Sequence, residues 1–101
     1  MPFGDFVNAI PPVGFLVVHL ALFAAGSYFA WRSYGAGAPT LGLGFALFAL
    51  AEVVYMTYHL DWTVFLFAHT IAEVLNLLAF GLIFVGLTRT VIHRAASPVR
   101  A

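Results

Sequence analysis

The residues able to do chemistry are few and regularly spaced. Glu52, Tyr55 and His59 stand at i, i+3 and i+7, while His69, Glu73 and Asn76 stand at i, i+4 and i+7. On an α-helix each spacing draws one stripe along a single side. His19 is the only His, Asp or Glu between Phe6 and Trp31. Imidazole is the commonest metal ligand, and two His with one or two carboxylates suit zinc, non-haem iron or manganese. The expected metal set is therefore His19, Glu52, His69 and Glu73. A haem b held by His19 and His69 is a variant, although two carboxylates beside the iron would sit awkwardly. The same groups can instead form a proton or ion ladder, as buried Glu/His chains do in pumps. They can also bond only to one another and fix helix register, or hydrogen-bond the carbonyl of a quinone or lipid.

Such groups are unusual here because of what surrounds them. The 101 residues are 63% hydrophobic and 8% charged, against about 25% charged in an ordinary globular domain. A chain this short leaves much of its surface uncovered on folding, so its apolar excess calls for lipid as the solvent. Formal net charge is zero, which argues against nucleic acid as a partner. With no cysteine, disulfides and thiolate metal sites are excluded within the chain. No P-loop, nucleophile elbow or H-E-x-x-H appears, so the chain is not expected to be an enzyme on its own.

Positioning falls to three apolar stretches. The expected fold is all-α, an integral membrane protein with three transmembrane helices forming a single membrane domain, 1–101. The spans lie near 12–34, 41–60 and 62–90, each about the length a bilayer core requires. Pro11 and Pro12 suit a helix start, and the linker Ser33–Thr40 carries Gly35, Gly37 and Pro39. Asp61 punctuates between the second and third spans, which form an antiparallel hairpin. Residues 95–101 read as a frayed tail. Long apolar blocks without alternation argue against a β-barrel. The first twelve residues lack the basic region of a signal peptide, and Phe3, Phe6, Val7 and Ile10 are suited to an interface.

Arg32, Arg89, Arg94 and Arg100 fall on the linker-and-tail side, while Asp5 and Asp61 fall opposite. The positive-inside rule places the amino terminus outside and the carboxyl terminus in the cytoplasm, across an inner membrane. Counted from Asp61, Glu52 and His69 lie at similar depth, about 12–14 Å along their helices, and His19 about 11 Å from its own helix start. Equal depth makes Glu52–His69 the expected pair, with His19 converging on it and Gly26 permitting close approach. Ala21/Ala25, Gly42/Ala46 and Ala68/Ala72 are small-xxx-small pairs that let helix backbones meet. The resulting expectation is a non-catalytic membrane subunit binding a metal ion or cofactor through its His/Glu cluster. Other membrane subunits or further copies of the chain would be its partners. The rivals are a homo-oligomeric transporter or proton channel, and a membrane sensor module.

Overall fold

The computed structural model describes residues 3–96. Over that range the chain forms a short 3₁₀ helix at Asp5–Ala9, then α1 (Pro12–Gly35), α2 (Pro39–His59) and α3 (Phe65–Ala96). All three α-helices are long and apolar enough to cross a membrane. Proline opens both α1 and α2, where a missing N–H costs nothing and the fixed φ suits the first turn.

The two connections are stopped by the same device. Gly37 takes a φ of 78°, the amide of Ala38 reaches back to the carbonyl of Ser33, and that of Gly37 to Tyr34. At the end of α2, Asp61 takes a φ of 62°, with Trp62 N–H on the Thr57 carbonyl and Asp61 N–H on Tyr58. Both are Schellman stops, which need a left-handed residue to reverse the chain. Glycine meets that need freely, and aspartate is among the few other residues that tolerate it. A 3.0 Å contact between the Thr57 and Thr63 hydroxyls ties the second turn further. Because this stop consumes the residues after Leu60, α3 begins at Phe65 rather than at the expected Trp62. At its other end α3 continues through Ala96, past the expected limit near Thr90 and into the expected tail; 97–101 lie outside the described residues.

α2 is the central helix. α1 packs on one flank of α2 and α3 on the other, and the α1 and α3 backbones do not approach each other. Neighbours run antiparallel. Gly26 meets Ala49 and Tyr34 meets Gly42 across α1 and α2, while Leu41 meets Gly86 and Gly44 meets Ala79 and Ile83 across α2 and α3.

What lines these seams is small. The buried residues are Ala30, Ala49, Ala51, Ala68, Ala72 and Ala79, with Gly26, Gly42, Gly44 and Gly86 beside them and Glu52 as the buried polar exception. Among the described residues no large side chain is fully enclosed, and Leu77 and Phe84 are more than 70% exposed. Water-soluble domains bury their large apolar side chains. Helices packed through alanine and glycine, with bulk pointing outward, follow the pattern of association in lipid. Of the three small-xxx-small pairs, Ala68/Ala72 and Gly42/Ala46 lie at or beside the seams, whereas Ala21/Ala25 are exposed. On α1 the seam is made instead by Gly26 and Ala30.

The tightest approach is between α2 and α3. A Cβ at Gly86 would fall 2.9 Å from the Leu41 nitrogen, and one at Gly44 would fall 2.7 Å from Ile83 Cγ1 and 3.0 Å from the Ala79 carbonyl oxygen. Backbone atoms cannot step aside as a side chain can. Gly86→Ala should therefore destabilise the hairpin by about 1–3 kcal/mol in a mixed-micelle unfolding titration. Asp61→Gly should be neutral or raise stability by up to about 1 kcal/mol, because it removes the left-handed penalty at the Schellman stop.

Candidate functional site

The polar residues gather in the half of the molecule nearest the Asp61 turn. At the centre, His19 Nδ1 lies 2.5 Å from Glu52 Oε2. The carboxylate belongs to a residue only 4% exposed, and the imidazole is partly covered. A ring nitrogen this close to a carboxyl oxygen is hydrogen-bonded to it, by Nδ1–H donating to the carboxylate or by a protonated carboxyl donating to Nδ1. The approach is possible because Gly26, two turns along α1 on the same stripe, lets the helix close onto Ala49 and Phe48 of α2.

Two aromatic partners frame the histidine. Tyr55 stacks on the His19 ring at 5.0 Å between centroids, and His59 does so at 5.3 Å. His59 is itself stacked against Phe15 at 5.0 Å with rings parallel to within 2°, and meets Tyr58 edge-on. On its other flank Tyr55 donates its hydroxyl proton to Glu73 Oε1 at 2.6 Å. Tyr55 thus connects the α1–α2 seam to the α2–α3 seam. His59, His19, Glu52, Tyr55 and Glu73 form one continuous chain of contacts across three helices.

Glu52 is bonded to His19 rather than to the expected His69. His69 stacks on Phe65, one turn back on its own helix, and is exposed. The reason is register. Tyr55 lies against Glu73 and Tyr58 against Phe65, so the position level with Glu52 is near Val74, more than a turn beyond His69. Glu52 and His69 stand at equal depth only if α3 begins at Trp62, and the Schellman stop delays that start to Phe65. His19 does reach the hairpin, through Glu52. Asn76 lies half-buried one turn beyond Glu73, and its side-chain carbonyl oxygen is buried with no hydrogen-bond partner.

The expected metal set is divided by this arrangement. His19 and Glu52 meet at one seam, Glu73 meets Tyr55 at the other, and His69 faces outward. Among the described residues no three His, Asp or Glu side chains come together in a way that could hold a metal ion. Stacked imidazoles such as His19 and His59 direct their nitrogens along nearly parallel planes, whereas ligands of one ion must converge at about 2 Å. A haem between His19 and His69 does not fit a single chain either, because α1 and α3 stand on opposite flanks of α2. What the arrangement offers is imidazole, carboxyl and phenol groups in mutual contact across three helices. The aromatic members of the chain, Phe15 in particular, carry no sequence signal that separates them from the other phenylalanines.

No protein-family model matches this chain, and no curated protein or solved structure matches it either.

The His19–Glu52 contact should appear as energetic coupling. In a double-mutant cycle, His19→Ala and Glu52→Gln should show an interaction energy of about 1–3 kcal/mol, read from unfolding in mixed micelles. The same cycle on Glu52 and His69 should be additive to within about 0.5 kcal/mol. Coupling in the second cycle and not the first would contradict the register described above.

Proposed function

We propose that the chain is an integral inner-membrane protein with its amino terminus outside, and that it handles protons through the His59–His19–Glu52 and Tyr55–Glu73 chain. The observation that carries this reading is the short hydrogen-bonding contact between His19 and Glu52 in the interior of the candidate spans. A charge at that depth costs about 2.5–3.5 kcal/mol on insertion scales, and a hydrogen bond to His19 offsets part of that cost.

The path has a direction. His59 ends α2 beside the turn, Glu52 lies about two turns deeper on the same helix with His19 level between them, and Glu73 stands in the first third of α3 beside Tyr55. Beyond Asn76, α3 reads LLAFGLIFVGL before Thr88, and the facing half of α2 from Leu41 to Ala51 carries no titratable side chain. One half of the molecule is polar and the other is dry. A proton entering at the Asp61 side passes from His59 to His19 by ring rotation or a bridging water, and is shared there with Glu52. The Tyr55 hydroxyl then links this store to the Glu73 carboxylate.

Glu73 and His69 are exposed on the single chain at a depth where lipid solvates charge poorly. This supports a homo-oligomer in which these side chains face neighbouring copies and complete the path through the dry half. The reading is that of a small proton-conducting or proton-coupled membrane protein, and it takes the place of the metal-binding one because the donor sets do not converge.

Purified chain in liposomes should carry proton flux under an imposed potassium diffusion potential, followed with an internal pH dye. Glu52→Gln and His19→Ala should bring that flux down to the level of protein-free vesicles. Wild-type flux no greater than that background, or flux unchanged in Glu52→Gln, would overturn the proposal. For orientation, Asp61→Cys should label from outside intact cells; labelling only after the inner face is opened would reverse it.

A further inference from the structure

At the end of the molecule away from the Asp61 turn, the connection between α1 and α2 and the last turns of α3 line an open cleft of about 1170 Å³. Arg32, Arg89, His93 and Arg94 all line it, together with the hydroxyl residues Ser33 and Thr90. The cleft exists because α1 and α3 stand apart, leaving the space over the start of α2 open. Thr90 bonds the Gly86 carbonyl through its hydroxyl oxygen, and the start of α2 at Pro39 has no side-chain cap.

Among the described residues no carboxylate pairs with Arg32, Arg89 or Arg94. Every carboxylate among the described residues lies elsewhere: Asp5 and Asp61 at the opposite end, Glu52 and Glu73 in the polar half. Among the described residues the one ion pair is His19–Glu52. Arg32 is held in place, with its guanidinium donating to the Tyr28 hydroxyl at 3.1 Å and lying 5.9 Å from that ring's centre. A single bond to Tyr28 leaves most of its five donors free. Arginine's planar fork matches phosphate oxygens, and several arginines around one cleft favour an anion with spread negative charge.

We propose that this cleft is a binding site for the phosphate of an anionic lipid headgroup. The assignment rests on the membrane reading of the three spans and is independent of the proton reading. Depth favours a lipid as the source: Arg89 lies about 36 Å along α3 from Phe65, and Arg32 about 30 Å along α1 from Pro12, where a hydrocarbon core of about 30 Å gives way to headgroups. Size agrees, because the cleft far exceeds a bare phosphate ion and opens between two helices whose flanks are apolar. Arg32, Arg89 and Arg94 grip the phosphate, and the acyl chains run down beside α1 and α3.

The site can be tested on the whole chain extracted in mild detergent. Native mass spectrometry after incubation with equal amounts of phosphatidylglycerol and phosphatidylcholine should show the anionic lipid retained in preference by roughly tenfold or more, since each arginine near a headgroup contributes about 1 kcal/mol. The Arg32→Gln, Arg89→Gln, Arg94→Gln triple variant should lose the preference while keeping wild-type helix content and thermal midpoint. If the triple variant does not fold, the three single variants serve, each expected to weaken retention about fivefold. No preference in wild type, or a preference that survives in folded variants, would overturn the site. Release of the retained lipid by millimolar inorganic phosphate would overturn the lipid assignment in favour of a solution anion. Proton flux plays no part in these readouts, so failure of the relay and failure of this site are separable.

Discussion

Glu52 is the constraint around which the rest of the structure is arranged. A carboxylate 4% exposed among alanines has no water to solvate it, so it must either lose its charge or meet a partner within hydrogen-bonding reach. His19 meets it from the neighbouring helix. That contact sets how closely α1 and α2 approach, and only small residues allow the approach: Gly26 against Ala49, with Ala30 further along. Once the seams are made of alanine and glycine, the phenylalanines and leucines have nowhere to go but outward. A surface of that kind is stable only where the solvent is itself apolar. The outward apolar bulk of the three candidate spans and the buried acid–imidazole contact thus belong to one arrangement.

The central place of α2 explains why so few residues connect so much. Its single polar stripe serves two interfaces, because Glu52 turns toward α1 while Tyr55, three residues on, touches His19 with its ring and Glu73 with its hydroxyl. A change at either flank is felt at the other through Tyr55, although α1 and α3 do not meet. The molecule is also polarised along its length. Acids and imidazoles occupy the half beside Asp61, an apolar stretch follows, and arginines ring the far end. The acid–imidazole cluster and the arginine cluster are thus chemically separate regions of one scaffold.

The number, type and approximate limits of the three helices were legible in the sequence because they follow from apolar length and from Pro, Gly and Asp punctuation. The chemistry-bearing residues were legible too, since Glu52, Tyr55, His59 and His19 all enter the chain of contacts. Their pairing was not. Depth along a helix can be counted from a turn only when the turn's length is known, and Asp61 in a left-handed conformation lengthened it. Rotation about α2 mattered equally: period alone places Glu52 and Tyr55 on one stripe and cannot tell which neighbour each side of that stripe will face. His69 was misjudged on both counts. Gly44 and Gly86, where helix backbones nearly touch, were indistinguishable in sequence from glycines such as Gly81 that have open space beside them.

The most direct test is a distance in lipid. With the His19 ring labelled with ¹⁵N and the glutamate carboxyl carbons with ¹³C, dipolar recoupling by solid-state NMR in bilayers reads whether the two groups touch. The 2.5 Å contact requires Nδ1 to lie within about 4 Å of the Glu52 carboxyl carbon, and the coupling should vanish in Glu52→Gln prepared without label at that site. A His19 nitrogen coupled to no glutamate would contradict the account, as would a Glu52 carboxyl coupled to His69 instead.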